Sequence, residues 1–589
     1  MRRVYGLIAI PKSVPGPADL PIERVVSPLD VCRDAAAAAW LEDDIHFIDL
    51  GRYGLLIGTL FLNGANRPLH KVPPTVLAQT SVRALAAWLT LSCWGTYVAL
   101  LRDPRAGQTW IVRDPSGLLP LYHLETATHQ VYASAPALFA SAGLPKPSVS
   151  WPDLVAHLRR PDLRQTGTCL AGITEIPPGT LIPVEAKTRT PIALWSPTAF
   201  LPHEPGERFE TLAERLREIA CNAIGAWAGL SRRVVVAASG GVDSSLVCAA
   251  LAARGHAFDC ATIATTDPSG DERAYVRLLA DHLGVRTLAT TYDPRRIDLL
   301  RPVSAPLARP CSKAFMQETR RAGLEACQVT GATSVLDGNG GDNLFCFVHS
   351  AAPVLDRLYH EGLRSGTART FRDMCQLTDS TLATMGLAAL RRLWRARSQP
   401  WSSDDRLLHP AVLPHRSAVR GQAGERLSIL TPWQGEAPVR LPGKHDHMVL
   451  LMRGQNFLHG ADGPAHPMQF SPLMSQPLVE FCLSVPTWQW CNGGVNRALA
   501  RAAFAHDLPP AIVRRTSKAG PDSVMRTLFA LRRPQIRDLL LDGLLARHGI
   551  LDRTATEHAL SVDVDREDPV VYRLLDLVEA EAWVRVWTA

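Results

Sequence analysis

The chain has 589 residues, 46% of them hydrophobic and 20% charged, with a formal net charge of +7. A single core stops growing near ~250–300 residues, so two or more domains are expected, and the composition excludes a disordered chain. So mild a positive charge admits anionic ligands without implying a nucleic-acid coat, and only seven of the 63 basic residues are lysine, which makes each lysine informative.

The first two hundred residues read as β-rich. Apolar runs at 4–10, 55–62, 97–101 and 109–112 are separated by Gly, Pro and Asn, with a helical stretch near 81–90. Three prolines in 196–208 place a domain boundary there, giving domains at 1–205 and 206–589. Beyond it the pattern alternates: helix 209–229, a strand of consecutive valines at 233–238, helix 245–254, strand 259–265, helix 272–283, strand 286–291 and strand 334–336. Such alternation indicates a parallel sheet covered by helices. From residue 352 onward the chain reads as mostly helical, with helices at 356–363, 385–397, 447–457 and 535–548, the last opened by Pro534. Twelve cysteines are scattered with no C-x-x-C pair, which argues against a disulfide framework or a zinc site and for a reducing cytoplasm. No run approaches the ~18 apolar residues of a membrane span.

Ser239-Gly240-Gly241-Val242-Asp243-Ser244-Ser245 stands between a strand and a helix. Two glycines let the backbone approach an oxyanion, and free amides at the helix N-terminus attract negative charge. Ser239, Ser244 and Ser245 add hydroxyls, and Asp243 can hold a divalent cation beside phosphates. There is no Walker A lysine. The segment resembles the pyrophosphate-binding loop of the ATP pyrophosphatase superfamily, whose members cleave ATP between the α- and β-phosphates and adenylate a substrate.

After strand 334–336 comes Asp337-Gly338-Asn339-Gly340-Gly341-Asp342-Asn343. Ligand sites in open α/β sheets lie beyond the carboxyl ends of the strands, so this loop faces the first, with Gly338 and Gly340 near the nucleotide. Asp342 comes near Asp243, and the two can share Mg²⁺ on ATP. The loop resembles the S-G-E-G-x-D-E segment of asparagine synthetases, with Asn339 in place of a catalytic Glu and Asn343 in place of the second acid. In its G-x-G-G-D-N form it is similar to lasso-peptide cyclases. A third segment, Arg514-Arg515-Thr516-Ser517-Lys518-Ala519-Gly520, resembles the basic stretch that ends the synthetase core of asparagine and β-lactam synthetases, which implies a catalytic role for Lys518. A fixed ammonium there would stabilise charge at the α-phosphate and at the tetrahedral oxyanion. His466-Pro467-Met468, Ser471-Pro472-Leu473, the segment 476–481 and Asp271-Glu272 extend the resemblance along the chain.

The resemblance implies an α/β protein: an N-terminal glutaminase-like αββα domain of the N-terminal-nucleophile type, then an ATP-pyrophosphatase α/β domain with a largely helical C-terminal part. Arg113-Asp114-Pro115-Ser116-Gly117 and Glu175-Ile176-Pro177-Pro178-Gly179 look like that first domain's scaffold. Tyr5, however, precedes the glycine that should follow a nucleophilic cysteine, and the first cysteine is Cys32. Glutamine is therefore not expected to be the nitrogen donor. The implied activity is ATP- and Mg²⁺-dependent lasso-peptide cyclisation: adenylation of an Asp or Glu side chain of a precursor peptide, then attack by the peptide's own N-terminal amine. A leader peptidase and a leader-recognition protein are the implied partners, with no nucleic acid and no membrane. A β-lactam-synthetase-like or asparagine-synthetase-like ligase remains the rival, and a non-catalytic scaffold the third reading.

Overall fold

The computed structural model describes residues 6–11, 28–29, 38–41, 46–78, 81–185, 189–201, 206–265, 270–394, 403–413, 441–456, 458, 467–516, 522–561 and 569–589. Its N-terminal part contains two six-stranded antiparallel sheets. One runs, in spatial order, Ile173–Glu175, Tyr122–Glu125, His129–Ala133, Gly6–Pro11, Ala38–Leu41 and Pro28–Leu29. The other runs Ile192–Ala193, Thr180–Pro183, Thr109–Arg113, Cys93–Arg102, Gly54–Leu62 and Phe47–Asp49.

Side-chain alternation builds the layers. Leu55 and Ile57 join Ile8, Ile10, Val98, Leu100 and Ile111 in one cluster between the sheets. Their neighbours Leu56 and Leu60 belong to another, with Val82, Leu85 and Leu89 of the helix Val82–Leu91. Ser81 caps that helix by accepting from Ala84 N at 3.2 Å. On the far face of the first sheet, Tyr122, Val131 and Ala133 pack with Leu154 and Leu158 of the helix Trp151–Arg159. The result is the expected αββα sandwich.

The second part is a parallel sheet of β1 (Val234–Ala237), β2 (Phe258–Ala264), β3 (Thr287–Thr291), β4 (Ser334–Asp337) and β5 (Met468–Phe470). The spatial order is β3-β2-β1-β4-β5, with every pairing parallel. Its helices include α1 (Phe209–Ala228), α2 (Val242–Ala253), α3 (Arg273–Leu283), α4 (Met316–Thr330), α5 (Pro442–Gln455), α6 (Gln476–Ser484), α7 (Asp522–Leu541) and α8 (Val570–Thr588). One apolar cluster crosses between the two parts: Phe61 and Trp94 of the sandwich stack at 4.5 Å and meet Trp227 of α1 edge-on at 5.4 and 5.8 Å. Likewise α7 and α8 pack against the first sheet's outer face through Met525, Leu528, Trp583 and Trp587.

The sequence reading needs correction at Pro534, which lies inside α7 instead of opening a helix. Met525, Leu528, Phe529, Ile536 and Leu540 on that helix are all buried, and their packing outweighs the hydrogen bond that proline cannot make. Strand β5 and helix α4 add to the elements expected from the sequence, while α8 falls in the C-terminal stretch expected to be mostly helical. Among the described residues no helix is long and apolar enough to cross a membrane.

Two buried histidines tie segments together. His157 Nε2 donates to Pro310 O at 2.9 Å and His447 Nε2 to Leu344 O at 2.8 Å. Burial pushes their imidazoles down to about 4 and about 3. Below the ordinary histidine value of ~6.5 the unfolded chain therefore binds protons that the folded chain refuses, and stability falls as pH drops from about 6.5 toward 4. Melting followed across that window is expected to show a loss of up to about 3 kcal/mol from His157 alone. His157→Gln, which keeps a donor, should flatten the slope; an unchanged slope contradicts the assignment.

Candidate active site

The sheet order reverses between β1 and β4, and two loops leave their paired carboxyl ends, where Ala237 lies opposite Asp337. A crevice at such a reversal is where open α/β sheets bind ligands. The first loop folds on itself. Ser239 N donates to Ser244 Oγ at 3.1 Å, the two hydroxyls lie 3.2 Å apart, and Ser245 N donates to Gly241 O at 3.1 Å to start α2. Gly240 has φ +63°, and a Cβ there would lie 2.4 Å from Tyr275 Cβ of α3. Ser239 and Ser244 thus shape the loop, while Ser245 is fully buried in α2.

The second loop presses on the first. A Cβ added to Gly338 would fall 2.6 Å from Ser244 N, and one on Gly341 would fall 2.4 Å from Asp243 Cγ. Gly340, with φ +81°, opens the short helix Gly341–Leu344 that carries Asp342. Asp337, at the end of β4, accepts from Asn339 N at 3.0 Å, Asn339 Nδ2 at 2.9 Å and Gln469 Nε2 of β5 at 2.7 Å. Burial still pushes its carboxyl above the ordinary aspartate value.

Asp243 and Asp342 do come together, through a residue the sequence did not single out. Arg497 Nη1 donates to Asp243 Oδ2 at 2.9 Å and to Asp342 Oδ1 at 2.6 Å, so these two oxygens are at most about 5.5 Å apart. Arg497 is buried, adopts a left-handed φ of +53°, and lies with its guanidinium 5.0 Å from the Phe347 ring. Asn496 Oδ1 accepts from Arg497 Nε and from Arg501 Nη2. Arg501 in turn donates to the carbonyls of Val513 and Arg515; burial first, then neighbouring Arg497, pushes its guanidinium down to about 10. The signal was legible in principle: Arg497 and Arg501 punctuate an apolar A-L-A-R-A-A-F stretch, and a guanidinium is buried only when paired.

Arg515 reaches the phosphate loop itself. Its Nη1 donates to Ser239 O at 3.3 Å, its Nη2 to Glu272 Oε1 at 2.7 Å, and its guanidinium stacks 3.9 Å from the Tyr275 ring. This ties the basic segment and the Asp271-Glu272 pair to the loop. Lys518, three residues further on in sequence, lies outside the described residues, as do Tyr5 and Cys32.

Next to Ala237, where the first loop begins, an open cleft is walled by Ala237, Ala261, Ile263 and Val335 of the sheet and by Thr319, Arg320, Ala322 and Gly323 of α4. A mostly apolar wall next to a glycine-lined anion cradle suits a nucleotide base joined to its phosphates. The paired carboxylates have the oxygen chemistry that Mg²⁺ takes. The residues present therefore fit ATP with its metal.

Because the two loops touch backbone to backbone, Gly338→Ala is expected to force them apart. MgATP affinity measured by calorimetry should fall at least tenfold, with overall helicity preserved. Unchanged affinity would refute the loop packing as the basis of the site.

No curated protein matches the chain. Two solved structures are similar at 10% identity and a TM-score of 0.19: the allosteric regulatory enzyme of purine biosynthesis, and the glutamine phosphoribosylpyrophosphate amidotransferase of B. subtilis complexed with ADP and GMP. Each covers 55% of this chain, and they are covered over 85% and 86% of their own lengths. At that score the likeness carries no weight. Residues 230–448 and 470–585, more than half the chain, match the asparagine synthase family over the stretch that holds both loops, Arg497 and the basic segment. The chain belongs to the asparagine synthase family and is built as an ATP-dependent amide-bond ligase.

Proposed function

We propose that this ligase is a peptide cyclase: it adenylates an Asp or Glu side chain of a precursor peptide and closes a macrolactam with the same peptide's N-terminal amine, releasing AMP and pyrophosphate. The observation that carries the reading is Asn339. It stands where the asparagine synthetases have a catalytic Glu, and both its amide N–H and its Nδ2 are committed to Asp337. No carboxylate is offered at that position to handle a free ammonia nucleophile. An amine delivered by the substrate itself suits such a site, and tethering both ends of one peptide makes amide formation intramolecular, worth on the order of 7–11 kcal/mol in well-oriented cases.

In this reading the Ser239–Gly241 amides and the start of α2 hold the phosphates. Asp243 and Asp342 hold Mg²⁺, which neutralises charge on the phosphates when bound. Arg497, bonded to both carboxylates, would stand beside the pyrophosphate and could donate to its oxygens. The base lies along Ala237, Ile263 and Val335. Lys518 stabilises charge at the acyl-adenylate. Tyr5 in place of a nucleophilic cysteine leaves the sandwich without glutaminase chemistry, in the cytoplasm, where a leader peptidase and a leader-recognition protein supply the substrate.

Mass spectrometry of the cognate precursor, treated with the protein, its leader peptidase and MgATP, is expected to show a product one water lighter than the linear peptide and resistant to aminopeptidase. A peptide that stays linear while a free amino acid is converted instead would replace the cyclase with a small-molecule ligase. Asp342→Ala should abolish AMP formation, and Lys518→Ala should lower turnover by ~10² or more; near-normal turnover in either variant removes that residue from the mechanism. Ammonia release from glutamine would overturn the loss of glutaminase chemistry.

A further inference from the structure

Residues 303–313, which lead directly into α4, tie the sandwich to the wall of the nucleotide cleft. The segment is gripped from both sides. From the sandwich, Cys169 N donates to Ala308 O at 2.9 Å, Tyr122 Oη accepts from Ala308 N at 3.4 Å, and His157 Nε2 donates to Pro310 O. From α8, Trp583 Nε1 donates to Leu307 O at 2.9 Å, Glu579 Oε1 accepts from Ser304 N and Oγ at 2.9 and 2.7 Å, and Asp576 pairs with Lys313.

At its centre Arg309 enters a buried ion cluster of the sandwich. Arg309 Nη2 donates to Glu175 Oε2 at 2.9 Å and to Gln165 O at 3.0 Å. Glu175 also takes Arg113 Nη1 at 2.9 Å and Arg164, whose Nε is 3.1 Å away. Glu175 and all three arginines are buried. Four residues beyond this strap, helix α4 is under way, and its Thr319 and Arg320 wall the cleft. Arg320 Nη1 also reaches back to the strap's Val303 O at 3.4 Å. Displacing the strap therefore displaces a wall of the cleft.

We infer that Arg309, held by Glu175, is a positioning residue for the nucleotide: through the strap it sets α4 against the sheet, and the N-terminal sandwich thereby serves the ligase as a structural arm whatever nitrogen source the enzyme uses. This rests on ATP occupying the cleft, and does not depend on the cyclase reading. A charge cluster is a costly way to join two surfaces, since burying ions seldom adds stability over apolar packing. What it adds here is a fixed geometry, with Glu175 receiving donors from three separate segments.

The test uses the full chain with Arg309→Met, which leaves Glu175 satisfied by Arg113 and Arg164, and with Arg309→Lys. MgATP binding is measured by calorimetry, and hydrogen exchange is followed along residues 303–330 and along α2. Arg309→Met is expected to weaken MgATP at least tenfold and to speed exchange in the strap and the first turns of α4 while α2 keeps its protection. Arg309→Lys should recover part of the affinity, and guanidinium ions added to Arg309→Ala should do the same. Unchanged MgATP affinity in a folded Arg309→Met, or faster exchange spread evenly over the whole chain, overturns the inference. If the wild-type protein binds no MgATP, the ATP reading of the cleft falls, and the exchange pattern still decides whether Arg309 fixes α4.

Discussion

Two acidic side chains that would repel one another converge on a single guanidinium, and the active region is organised around that contact. Asp243 comes from the loop after β1 and Asp342 from the loop after β4, and both bond Arg497 Nη1. The meeting is possible only because Gly338 and Gly341 carry no side chain where the loops touch. Like charges this close demand a cation. Arg497 meets that demand in the protein. Its left-handed backbone, uncommon outside glycine, shows how firmly the surrounding Asn496 and Arg501 contacts hold it.

Much of this was legible in the chain. A run of valines, a glycine pair and an acidic residue at the next helix start define the phosphate loop locally, because strand, turn and cap chemistry are all short-range. The second loop was found for the same reason, and the topology rule for parallel sheets placed it opposite the first. Arg497 escaped because its partners lie 254 and 155 positions away, so the apolar stretch around it hints at burial but not at what it pairs with. Helix α4 escaped because its sequence is polar and interrupted by Gly323, whose missing side chain lets the helix sit close to Val335. Pro534 misled because a proline is ordinarily a helix starter, and only the long-range packing of α7 onto α8 and the first sheet overrides it. Local chemistry was readable and long-range ion pairing was not.

The sandwich keeps its scaffold with unusual investment. Arg113, shown by the sequence as part of a scaffold motif, is completely buried and bonds Glu175 together with the carbonyls of Leu119 and Gly117. Burial raises the neighbouring Asp114 carboxyl to about 6, even with Arg113 and Ser116 beside it. Contacts from Trp195 to Glu480, and from Gln476 to Thr90 O, add to the apolar seam of Phe61, Trp94 and Trp227. These are the contacts of a domain integral to the ligase.

The central claim is that the paired loops direct a carboxylate onto the α-phosphate of ATP. Labelling the acceptor carboxylate with ¹⁸O tests it directly, because attack at the α-phosphorus leaves one acceptor oxygen in the nucleotide product once the amide forms. Single-turnover reaction followed by mass spectrometry of the nucleotides is predicted to give AMP carrying one ¹⁸O, with unlabelled pyrophosphate. Label appearing in inorganic phosphate, with ADP as the nucleotide product, would mean attack at the γ-phosphate and would contradict the account.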